Sequence, residues 1–160
     1  MDSMKEYIEE AISVTGYKIE PMSLLESVMI RKNVLIKYSD GNEHHTLWEH
    51  TNMENSFYIR EQGSWKWLDE FLNLDECILF FDYEDDPIFY ILPANQSIRS
   101  FISELSFTEF YITNKNLDFL ISFNDSDYLT AHGTAEPWLR SKVKELSKTG
   151  WVDMDGKSYL

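Results

Sequence analysis

The side chains with the clearest chemical potential are carboxylates gathered in two short runs. Asp82, Glu84, Asp85 and Asp86 surround Tyr83, and Asp125 and Asp127 precede Tyr128. Two carboxylates facing each other across a cleft can cleave a glycosidic bond, one as acid and the other as base or nucleophile. Nothing in the spacing puts these two runs in one cleft. Each has the composition of a turn, where Asp and Asn are favoured because their side chains hydrogen-bond the nearby backbone. The first run also lacks the central Gly and distal Glu of a calcium loop. The alternative use is electrostatic. Asp82, Glu84, Asp85, Asp86, Asp125 and Asp127 would form a negative rim, with Tyr83 and Tyr128 as anchors, and a protein interface uses charge for encounter and aromatics for affinity.

The remaining reactive residues form no constellation. His45 and His50 with Glu49 are the nearest thing to a metal set, and their spacing matches no His-Glu-x-x-His pattern. Exposed or hydrogen-bonded histidines are the simpler reading. A nucleophile elbow, a phosphate-cradling loop and a dinucleotide fingerprint are all missing, and the six glycines are scattered singly. A pocket lined by Trp48, Trp65, Trp67 and His132 is the form a ligand-binding or hydrolytic role would take. The expectation is no catalytic residue, no metal and no cofactor.

Charge narrows the partners. Acids outnumber bases 28 to 14, for a formal net charge of −14. Nucleic acid demands the opposite balance, as does an anionic membrane surface. A basic protein surface would be attracted at long range, although acidity also serves solubility alone. In the last helical stretch Arg140, Lys142, Lys144 and Lys148 concentrate the basic charge, where it also suits the helix dipole. The single cysteine, Cys77, rules out an intrachain disulfide and lies in an apolar run, as a buried thiol would. The start Met1-Asp2-Ser3-Met4-Lys5-Glu6 does not have the form of a signal peptide, and no run has the length of a membrane span. A cytoplasmic protein is expected.

The elements that must position these residues are legible to different degrees. Ser3 and Glu6 form a capping box before Met4, Tyr7, Ile8, Ala11 and Ile12, with Gly16 as a stop. Ser23 and Glu26 repeat the box, with Leu24, Leu25, Val28 and Met29 at helical spacing. A hairpin turning at Lys32-Asn33 competes with that helix, and 34–38 reads as a strand in either case. Residues 43–50 read as a strand or a short helix, and 52–55 as a loop. Ser64 caps a short helix bearing Trp65, Trp67, Leu68, Phe71 and Leu72. Strands are expected at 77–82, 88–92, 109–113, 117–123 and 128–132. A helix carrying Ile98, Phe101, Ile102 and Leu105 interrupts the series, and another with Leu139, Val143 and Leu146 follows it, stopping at Gly150. The tail 151–160 adds a short strand or is loose. Connections between most of these strands are too short for parallel crossovers. One α+β domain spanning 1–160 is therefore expected, a mainly antiparallel sheet of about five to seven strands with helices packed on one face.

The stretch Glu109-Phe110-Tyr111-Ile112-Thr113-Asn114-Lys115-Asn116-Leu117-Asp118-Phe119-Leu120-Ile121-Ser122-Phe123-Asn124, with Asp127-Tyr128-Leu129-Thr130-Ala131-His132-Gly133 and 135–139, resembles the C-terminal half of a group of small acidic bacterial α+β proteins. Some of that group are similar to immunity partners of polymorphic toxins in Bacillus-type bacteria. Leu79-Phe80-Phe81-Asp82 and Trp65-Lys66-Trp67-Leu68 extend the likeness, which leaves out the N-terminal part. The resemblance implies binding without catalysis: a cognate toxin, such as a nuclease or another basic effector, held inactive by the acidic surface. The other readings are an adaptor or regulatory module that binds a different protein, and a small-ligand-binding protein or hydrolase.

Overall fold

Residues 3–105 and 109–148 are described in a computed structural model. Seven strands form one antiparallel sheet, β1 (Glu20–Pro21), β2 (Ser56–Arg60), β3 (Cys77–Phe80), β4 (Tyr90–Leu92), β5 (Phe110–Thr113), β6 (Phe119–Phe123) and β7 (Tyr128–Gly133), in the order β1-β4-β3-β5-β6-β7-β2. The later strands make the centre as hairpins, and the two N-terminal strands take the outer edges. An α+β class and a mainly antiparallel sheet are thus the architecture expected from the sequence.

Helices α1 (Met4–Thr15), α3 (Leu68–Leu72), α4 (Ile98–Ser103) and α5 (Ala135–Ser147) cover one face, where Ile8, Leu68, Phe101 and Leu139 meet Leu79, Ile112, Ile121 and Leu129. The fifth helix, α2 (Leu24–Tyr38), packs across the opposite face, with Val34, Leu35 and Tyr38 against Ile78, Phe80, Tyr111 and Leu120. The helical layer expected on one face therefore holds for four helices, and α2 adds a second layer. Because both faces are covered, β3, β5 and β6 are buried at every position. Their near-continuous apolar sequence follows from that burial. Cys77 is buried in this centre, which pushes its thiol up to about 12.

The first N-cap forms: Glu6 N–H donates to Ser3 Oγ, and Gly16 ends the helix in the left-handed region. Ser23 likewise caps α2, accepting from Glu26 N–H and donating its hydroxyl to the Glu26 carboxylate, and α2 runs unbroken to Tyr38, so 34–38 is helix and not strand. The buried positions Ser27, Arg31, Val34, Leu35 and Tyr38 follow a helical period, but two of them are polar. That disguises the period, while Val34-Leu35-Ile36 imitates a strand. Residues 43–50 hold only a short 3-10 turn, Leu47–Glu49. The edge strand β2 follows the loop expected at 52–55, and no strand is expected there from the sequence. Ser64 donates its hydroxyl to the Glu61 carbonyl and does not cap the next turn. The proposed stop at Gly150 and the tail 151–160 lie outside the described residues.

Gly133, at the end of β7, lies close against the backbone that enters β6. Its φ is +66°, and a Cβ there would lie 2.3 Å from the Asp118 carbonyl oxygen. The same carbonyl accepts from Thr134 N–H at 2.9 Å as the chain enters α5. Left-handed backbone and overlap with main-chain atoms act together, so Gly133→Ala is expected to cost about 3 kcal/mol, read as a lowered midpoint of urea unfolding.

Candidate functional site

Strand β3 delivers the chain to Phe81 and then to the first acidic turn. The amides of Asp85 and Asp86 both donate to the Asp82 carbonyl, at 2.9 and 3.1 Å, closing the turn on itself. The Asp82 side chain points inward. Its Oδ1 accepts from Leu47 N–H at 2.9 Å and from the Tyr111 hydroxyl at 2.8 Å, tying the 47–49 turn to the sheet. Asp86 is also buried, with Ile88 N–H donating to its Oδ1 and the Tyr90 hydroxyl to its Oδ2. The expectation that this whole run lies on a solvent rim is corrected for these two. A buried carboxylate must be hydrogen-bonded, and each is. Tyr83, Glu84 and Asp85 remain exposed.

Pairing of Phe80 with Tyr111 and of Phe110 with Phe123 brings the end of β3, the start of β5 and the end of β6 to one end of the sheet. Glu109, just ahead of β5, therefore stands between the two acidic turns. Burial pushes its carboxyl up to about 7, helped by the charges of Asp125 and Asp82. Asp85 is likewise raised, first by burial and then by Asp82 and Glu84. Asp125 thus joins the first turn through Glu109. Tyr128 does not. Half-buried on β7, it packs against Tyr58, with ring centroids 5.8 Å apart, and lies under the Arg60 guanidinium at 5.7 Å. Asp127 is half-buried at the bend, in the left-handed region.

Beneath the acidic end lies Arg31 of α2, 4% exposed. Its Nη2 donates to the Phe81 carbonyl at 2.6 Å, and its Nη1 is 3.6 Å from Glu43. The planar group lies against the rings of Phe89, Phe80 and Tyr83, at 5.1, 5.6 and 5.7 Å. Burial lowers its pKa, and Glu43 and Asp82 oppose that shift. Burial also raises Asp82, against the pull of Leu47 N–H, Tyr111 and Arg31. The site is a negative surface laid over one buried cation.

Asp82, Asp85 and Glu109 each place a carboxylate oxygen within 4.8 Å of the others. Oxygen ligands of this type suit a hard divalent cation, although one Asp82 oxygen already serves Leu47 and Tyr111. The histidines do not converge: His44 bonds Asp40, His45 pairs with Glu84 at 3.0 Å, and His50 stacks on His44. Nor do Trp48, Trp65, Trp67 and His132 line one pocket. Trp48 packs in the α2 layer, and Trp65 and Trp67 pack on the other face of the sheet. His132 is 1% exposed, edge-on to Tyr38, and burial lowers its pKa.

Compared with protein-family models, curated proteins and solved structures, the chain matches none. The reading of the site therefore stands on its geometry. Glu109, Arg31, Glu43 and Tyr111 belong to it without having been singled out in the sequence. Glu109 had a signal: extending the register of the 109–123 hairpin sets it beside the second acidic turn. Arg31 had none.

Two outcomes follow. Arg31→Ala removes a buried charge and its packing together, and is expected to cost about 3–5 kcal/mol; Arg31→Met keeps most of the packing and should cost clearly less in the same urea titration. For Glu109, the raised carboxyl means that the folded chain holds more protons than the unfolded chain between about 4.5 and about 7. Its contribution to stability is then lost as pH rises through that window. Glu109→Gln should raise the melting temperature at pH 8 by about 2–4 °C, allowing for solvent screening, and change it little at pH 4.5.

Proposed function

We propose that this chain is a protein-binding module whose acidic sheet end receives a basic surface of another protein. In its most specific form the reading is an immunity protein, acting in the cytoplasm, that binds a cognate toxin and holds it inactive. The observation that carries it is the meeting of Glu84, Asp85, Glu109 and Asp125 at one end of the sheet, with Glu109 raised to about 7 by burial and its acidic neighbours. Such a cluster repels itself, and an incoming Lys or Arg relieves that repulsion. Tyr83, half-exposed and backed by Arg31, supplies an aromatic contact beside the charges. Among the described residues no helix is long and apolar enough to cross a membrane.

Co-expression with the protein encoded immediately upstream tests the specific form. A stable complex with rescue of growth is the expected result, and a neighbour that neither binds nor is neutralised would remove the toxin reading for that pair. A complex without growth rescue would favour an adaptor role for the same surface. In either complex the electrostatics are measurable. Reversing Glu84 and Asp85 together to Lys should slow association about tenfold or more at low salt, with the gap closing as salt screens the field. Asp86 is unsuited to this test because it is buried. Equal on-rates for the two chains would take the turn out of the interface.

A further inference from the structure

Helix α2 is inverted. It turns Ser27 and Arg31 toward the sheet and leaves Leu24, Leu25, Val28, Met29 and Ile36 between 47% and 70% exposed. The inner polar groups are used: Phe89 N–H donates to Ser27 Oγ, and Arg31 donates to Phe81. Among the described residues the outer apolar groups have no such role. Five large apolar side chains on one helix leave on the order of 500 Å² of apolar surface, the size of the largest patch on a typical monomer, which is often functional.

We propose that a second copy of this chain covers that face, with the two α2 helices antiparallel across a two-fold axis. The spacing carries the case. Leu25, Met29, Lys32 and Ile36 are separated by four, three and four residues, the stripe that interdigitates in paired helices. A two-fold axis between residues 30 and 31 sets Leu25 against the second copy's Ile36, and Met29 against its Lys32. The stripe is therefore self-complementary, as an isologous interface requires. Lys32 lays its stem over the apolar partner and keeps its ammonium in water. One polar residue in such a stripe fixes register at some cost in affinity. Two patches together bury roughly 1,000 Å², the lower bound of a specific interface, so the dimer is weak. Each copy also carries −14, and that repulsion is screened by salt.

Sedimentation equilibrium of the purified full chain, from about 1 to 300 µM at low and high NaCl, is the test. A dimer with micromolar dissociation constant that tightens as salt rises is expected. Met29→Glu combined with Ile36→Glu should abolish it without lowering the melting temperature, because both side chains are exposed. Lys32→Leu should tighten it about tenfold. A chain that stays monomeric at the highest concentration in high salt overturns the proposal, and so does a dimer indifferent to all three substitutions. The salt response has the opposite sign to that of a basic partner at the acidic end, and the measurement needs no second protein. The two readings can therefore fail separately.

Discussion

Burial of Arg31 is the constraint on which both surfaces of this protein depend. A guanidinium taken out of water destabilises the fold by several kcal/mol unless it meets acceptors and polarizable surface. Its acceptor, the Phe81 carbonyl, its ion-pair partner, Glu43, and its ring faces, Phe80, Tyr83 and Phe89, lie around and beside the β3–β4 hairpin. That fixes the position of α2 and also its rotation. A helix turned to bury Arg31 and Ser27 must turn Leu25, Met29 and Ile36 outward. The same cation lies under the acidic turn, where it helps offset the charges of Asp82 and Glu43.

The carboxylates of the acidic end divide into two kinds. Asp82 and Asp86 are buried and spend their oxygens on backbone amides and tyrosine hydroxyls, so they act as joints within the turn. Glu84, Asp85 and Asp125 are exposed, and they carry the field that a partner would meet. The first kind makes the second effective, because charges held on a turn anchored to the sheet centre keep their positions. Glu109 lies between the two kinds, partly buried and surrounded by like charge. Its carboxyl is raised first by burial and then by the acids crowded at that sheet end.

Local chemistry was legible in the sequence, and tertiary placement was not. Both serine N-caps formed, because Ser3 and Ser23 need only partners three residues away. The five strands expected from residue 77 onward were found, since their apolar runs are bounded by Asn, Asp and Pro turns. The failure at 34–38 came from one fact that periodicity cannot see: the inward face of α2 contains an arginine and a serine. Strand β2 escaped notice because an edge strand needs little apolar alternation, and its partner is the distant β7. For the candidate site, the residue types were read correctly and their exposure only in part. Whether an aspartate points out or in depends on a tyrosine 29 residues away, as Asp82 and Tyr111 show.

The sheet order bears on how the chain is made. Strands β1 and β2 are synthesised early, yet their partners are β4 and β7, so the second edge cannot pair until residues 128–133 have left the ribosome. Hairpins β3–β4 and β5–β6–β7 can close from nearby segments, whereas the edges must wait for them. Until the β3–β4 hairpin closes, α2 has no sheet to cover, and its arginine and its leucines are equally in water. The nascent N-terminal third is therefore the segment a chaperone would meet. The partners of Arg31 all lie between residues 43 and 89, so it finds its place once the β3–β4 hairpin closes, well before the second edge can form.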